Sequence, residues 1–212
     1  LNVIGDPQLS LYRRGENDPF ATNDNWQEAA NASEISLSSQ HVGASALSAG
    51  SLDSAMVLEL PHGIYTAVLK NAAGADGTAL VEVFDVSEAT GDPRAATLAN
   101  VSMRGEVAWG SQVIVAGFTV TGDAPQRMLI RAMGSELEAL GVSNALANPL
   151  LSIYQATSTG STFIAENDDW QEEGSLVTDA ASRAGAFDFG QNSQSSANVI
   201  WLEPGVYTAV VQ

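Results

Sequence analysis

HGIYTAVLK at residues 62–70 returns as PGVYTAVVQ at residues 204–212, and this recurrence decides how the chain is read. In each copy a glycine turn opens directly into a run of Tyr, Thr and Val, the composition of a β-strand. The tyrosine stands at the start of that strand, with its ring available to a core. Working outward, DPQLSLY at residues 6–12 recurs as NPLLSIY at 148–154, and NDNWQE at 23–28 recurs as NDDWQE at 167–172. Tyr12 and Tyr154 lie 142 residues apart, as do Tyr65 and Tyr207. Trp26 and Trp170 lie 144 apart, so the second copy gains two residues before its tryptophan and loses them again by Gly43 and Gly185. Self-similarity of this kind marks a modular repeat architecture.

The chain of 212 residues holds about one and a half such periods. The first copy has no counterpart of residues 97–145, and the second has none of GTALVEVFDV at residues 77–86. The expected organisation is a first module over residues 1–86, incomplete at its N-terminal side, a linker over 87–96, and a second module over 97–212 that lacks its last strand. The chain opens on Leu1 without a leader-like stretch, as expected of a mature form or a piece of a longer one.

Strand patterns dominate: LSLY, AMVLEL, TALVEVFDV, SQVIVAGFTV, RMLIRA, LLSIY and NVIWLE are short runs rich in β-branched and aromatic residues. Met128, Ile130 and Ala132 alternate with Arg127 and Arg131, the pattern of a half-buried strand. Residues 113–120 are apolar on both faces, which predicts a central strand. Breakers such as GADGT, TGDAPQ, ANP and EPG separate the runs. The expected fold class is all-β: antiparallel, jelly-roll-like β-sandwich modules in tandem, with one or two short helices. Ser135 and Glu138 have capping-box spacing ahead of Gly141. Short helices are also expected after each tryptophan, around residues 28–37 and 176–183, and Asp92-Pro93 can open a helical turn.

Composition narrows the function classes. A net charge of −17 with one lysine, Lys70, repels nucleic acids and anionic lipid heads, and favours cations. No apolar run approaches the ~18 residues of a membrane span. Without cysteine there is neither a disulfide framework nor a thiolate metal site. His41 and His62, the only histidines, are replaced by Arg183 and Pro204 in the second copy, which speaks against a catalytic or zinc pair. Nucleophile elbows, HExxH and phosphate-loop signatures are absent, and no enzymatic activity is expected.

The residues before each tryptophan are the candidate site. Asp24 and Asn25 in the first copy, and Asp168 and Asp169 in the second, could ligate Ca²⁺, which takes six to eight oxygens; Asn23, Glu166 and Asn167 stand beside them. The same residues also suit a hairpin loop closed by Asx-turns. Trp26 and Trp170 could offer a sugar-stacking platform or act as lids over one end of a core. Trp109 and Trp201 are read as core or sheet-face residues.

Taken together, LSLY, FATNDNWQE, LELPHGIYTAVLKN and GTALVEVFDV resemble the bacterial pre-peptidase C-terminal type of domain and related tandem modules of large secreted proteins. The resemblance covers residues 1–86 and 97–212. It implies a jelly-roll-like sandwich, an extracellular or cell-surface location, no catalysis of its own, and calcium at Asp24, Asp168 and Asp169. A neighbouring catalytic domain, common beside such domains, is not in this sequence. The expected function is therefore a structural repeat of a fibre, surface array or adhesin stalk, whose partners are copies of itself or adjacent repeats. The alternative is a calcium-assisted carbohydrate- or matrix-binding module. Nucleic acid and membrane insertion are not expected.

Overall fold

The computed structural model describes residues 3–74, 77–87, 97–107 and 113–212. The chain divides into two compact units, Leu1–Val101 and Ser102–Gln212. Most of the segment read as a linker, Asp92-Pro93 within it, and Trp109 lie outside the described residues.

In the first unit, β1 (Pro7–Arg13), β2 (Ala21–Asn23) and β3 (Tyr65–Asn71) form an antiparallel sheet in the order β2-β1-β3. Helix α1 (Ala32–Val42) follows the tryptophan loop and ends at Gly43, whose φ of 71° is the left-handed conformation that glycine adopts without a Cβ penalty. The second unit repeats this order with additions. Its strands are β4 (Ile114–Val120), β5 (Gln126–Ala132), β6 (Leu151–Thr157), β7 (Gly160–Asn167), β8 (Ser196–Leu202) and β9 (Gly205–Val211). Four of them form a sheet in the order β4-β9-β6-β7, and β5 pairs with β8 in a separate ribbon. A single turn, α2 (Glu136–Ala139), follows β5; α3 (Gly174–Ala184) ends at Gly185, again left-handed at φ 67°. The fold is β-rich and antiparallel, as expected, with three short α-helices among the described residues. No helix among the described residues is long and apolar enough to cross a membrane.

The second unit's core joins its two sheets. Val120, Ile153, Leu202 and Tyr207 are buried together, with Met128, Ile130, Ile164 and Ile200 packed around them. Met128, Ile130 and Ala132 thus turn inward, as their alternation predicts. The opposite face of the β5–β8 ribbon meets Val177 of α3 and Phe189 through Leu129, Ala197 and Val199. Tyr207 donates a hydrogen bond to the Glu203 carbonyl at 2.8 Å, and Tyr65 does the same to Pro61 at 2.6 Å. The repeated tyrosine is therefore a hook that fixes the turn before its own strand.

Several expectations are corrected. The doubly apolar β4 is an edge strand of its sheet rather than a central one, with Val115 exposed. AMVLEL and, among its described residues, GTALVEVFDV form no strand; the latter makes only an isolated bridge between Val3 and Thr78. A ladder needs a partner, and neither segment has one among the described residues. Of the two readings for Trp201, the sheet face holds: it lies on β8, 67% exposed. The capping box does not close: Ser135 has helical φ and ψ and makes no side-chain cap.

The acid that matters in that turn is Glu136, not Glu138. Ser195, fully buried just before β8, accepts from the Gly134 N–H at 3.0 Å and donates to Glu136 Oε2 at 2.5 Å. Burial opposes the charge on Glu136, yet the Ser193 and Ser195 hydroxyls and the backbone N–H groups of Glu136 and Gly190 outweigh it, so its carboxyl sits below the usual range. A depressed folded pKa contributes stability above the unfolded value, about 4.3 for Glu, and that stability is lost as pH falls through the folded value. The urea midpoint of the second unit is expected to fall more steeply below about pH 4.3 in the wild type than in Glu136→Gln. Parallel curves would mean that the carboxylate contributes nothing there.

Candidate functional site

The two Asn/Asp–Trp loops lie at corresponding places in the two units, each between a strand and a short 3-10 turn, Trp26–Glu28 and Trp170–Glu173. What the repeat retains there is mostly architecture. Asn167 is 4% exposed; its Oδ1 accepts from the Ala197 N–H at 2.8 Å, and its Nδ2 donates to the Asp169 carbonyl at 3.0 Å and to Glu172 at 3.3 Å. Asn23 repeats the first two bonds, accepting from the Ala55 N–H at 2.9 Å and donating to the Asn25 carbonyl at 3.1 Å. The main-chain N–H of Trp170 donates to the Ser195 carbonyl at 2.9 Å, and that of Trp26 donates to the Asp53 carbonyl at the same distance. Gln171 donates to the Gln191 carbonyl, and Gln27 accepts from the Gly50 N–H. The Asn and Gln side chains and the tryptophan's main-chain N–H therefore clasp the loop to residues 191–197 in the second copy and to residues 50–55 in the first. Asn23 and Asn167, which stand beside the candidate ligands, turn their amides to backbone groups of the loop and of the facing segment, as an interior requires.

The tryptophans are half-buried. The Trp170 ring packs on Phe189 with centroids 5.6 Å apart and belongs to the cluster of Val177 and Ala197. Trp26 borders a small cavity with Ile35, Ala44 and Leu47.

The aspartates are what the clasp leaves over. Asp168 is exposed and Asp169 half-buried. Asp24 and Asn25 are half-buried beside a shallow groove lined by Phe20, Thr22, Asn23 and Met56. Among the described residues, Asp24 Oδ1 and Asn25 Oδ1 are buried and find no donor. Both residues line that groove, and oxygens of this kind are the ligands a hard cation takes, together with backbone carbonyls and water. No three His, Cys, Asp or Glu side chains converge at either loop among the described residues. The first loop is thus the better cation candidate, although the second carries the greater formal charge, because its unpartnered oxygens are the buried ones among the described residues.

Compared with known proteins, the chain matches no family model, no curated protein and no solved structure.

Proposed function

We propose that this chain is a non-catalytic structural repeat of a secreted or cell-surface bacterial protein, built from tandem jelly-roll-like sandwich modules akin to the pre-peptidase C-terminal type. Such modules would assemble into a fibre, surface array or adhesin stalk by sharing strands. One observation carries the reading: across Tyr65–Leu69 no described strand pairs with the outer side of β3, the last strand of its sheet, while its counterpart β9 is paired on both sides. An exposed edge of unpaired N–H and C=O groups is a template for a strand from elsewhere. The high negative charge suits a surface in contact with divalent cations.

Negative-stain electron microscopy of the purified chain, in millimolar Ca²⁺ and in chelator, tests this. Ordered filaments or sheets are the expected result. Dispersed globular particles in both conditions would overturn it.

The orphaned oxygens of Asp24 and Asn25 favour a second reading, a calcium-assisted carbohydrate- or matrix-binding module that uses Trp26 or Trp170. Calcium that binds only the folded state at about a hundred times its Kd adds about 2.7 kcal/mol, a Tm rise of several degrees. That rise should vanish in Asp24→Ala. An equal Tm in Ca²⁺ and chelator, with no retention on chitin, cellulose or alginate, would remove this reading.

A further inference from the structure

The two copies carry nearly the same words and fold them differently. SANVIWL at β8 and SAMVLEL at residues 54–60 share four of seven residues, yet only β8 is a strand. Both segments are held on one flank by the same clasp. Asn167 and Glu173 bond the Ala197 and Val199 N–H groups, and Asn23 and Asn31 bond the Ala55 N–H and the Val57 carbonyl. The difference lies on the other flank, where β5 pairs with β8 along its length. Likewise β4 pairs with β9 from Val120↔Gly205 to Ile114↔Val211, while no described strand pairs with the matching residues 63–69 on that side of the first unit.

Burial follows the same division. Leu202 is 3% exposed and its counterpart Leu60 is 40%; Leu58, the counterpart of the packed Ile200, is 42% exposed. Ala209 is buried and Ala67 exposed. Tyr207 stacks on Phe118 of β4 at 5.6 Å, whereas Tyr65 has Phe20 for its ring neighbour. The first unit has the floor and one wall of a core. What covers that core in the second unit is the two-strand arch formed by β4 and β5, one strand given to each sheet.

We infer that the open face of the first unit is a docking site for an arch of the residue 114–132 type, carried by another repeat. One strand of the arch adds to β3 across residues 63–69, with an aromatic residue opposite Tyr65. The other pairs with residues 54–60 and turns them into a strand. The register is that of β4 on β9 and β5 on β8, moved back by the 142-residue period. The partner is recognised by main-chain pairing and by the inward apolar row at positions 118, 120, 128 and 130. This deepens the strand-sharing function proposed above by naming the segment that is shared, and it rests on that reading.

A synthetic peptide of residues 113–133 is added to the full chain, and amide hydrogen exchange is read by segment. Residues 54–60 and 63–69 are expected to slow by roughly tenfold or more, while 196–202 and 205–211 stay unchanged as an internal control. A peptide carrying Phe118→Pro and Ile130→Pro should give no protection. Because a free peptide can fail to fold, residues 113–145 are also grafted ahead of residue 4, which restores the order of the second unit. The graft should protect the same two segments and raise the first unit's Tm. No protection at about 1 mM peptide and none in the graft overturns the inference. Protection without filaments in the microscope would uphold the docking site and sink the assembly reading; filaments without protection would do the reverse.

Discussion

Tyr207→Ala is expected to remove about 3–5 kcal/mol from the second unit, the cost of deleting a buried aromatic ring. Tyr207 is 2% exposed, sits among Val120, Ile153 and Leu202, and stacks on Phe118 at an interplanar angle of 18°. Deletion leaves a cavity bounded by two sheets that cannot both collapse into it, and it frees the Glu203 carbonyl from its hydrogen bond. A loss of this size approaches the whole stability of a small domain. Tyr207→Phe keeps the ring and should cost only about 1 kcal/mol, the net value of one hydrogen bond. Tyr65→Ala should cost about 1 kcal/mol too, since its face of the first unit is open and little packing is lost. Urea unfolding followed by segment-resolved hydrogen exchange separates the two units. Equal losses for the two tyrosines would show that the first core is closed after all.

Asn167→Ala should cost about 2–3 kcal/mol, because it strands the buried Ala197 N–H and the Asp169 carbonyl in one step. Asn167→Asp is the sharper test. It keeps the acceptor for Ala197 but places a carboxylate where an N–H₂ group faced the Asp169 carbonyl and Glu172 Oε2. Like charges brought together at a buried site raise the new carboxyl's pKa. The variant should therefore be less stable than Asn167→Ala at pH 7 and recover part of the difference near pH 4, where the added group is protonated. Melting curves at the two pH values read this directly. A variant as stable as wild type at pH 7 would show that the Asn167 amide is not the clasp described here. Asn23→Ala, at a half-buried site, should lose less.

The clasp also shows why the candidate site was only partly legible. Repetition of N-D-x-W-Q-E was visible in the residues, but a repeated polar residue can be retained for a ligand or for a buried backbone group. Periodicity does not distinguish the two. The structure assigns the Asn and Gln side chains to backbone groups, packs the Trp170 ring on Phe189, and leaves Asp24 with a buried oxygen that lacks a donor among the described residues. Helices α1 and α3 were readable as short segments after each tryptophan, though α1 begins at Ala32, four residues later than expected. The Ser195–Glu136 contact joins residues 59 apart, and no local pattern announces it.

The sequence alone determined the repeat, its period, the antiparallel β-rich character and the inward row of β5, because these follow from side-chain alternation and turn chemistry along a single stretch. Only the tertiary structure decided which strand-forming words become strands. SANVIWL is one because β5 lies beside it, and SAMVLEL is not, because no strand among the described residues does. A β-strand satisfies its backbone through a neighbour rather than through itself, so its existence belongs to the pair, and the pairing partner is not written in the segment.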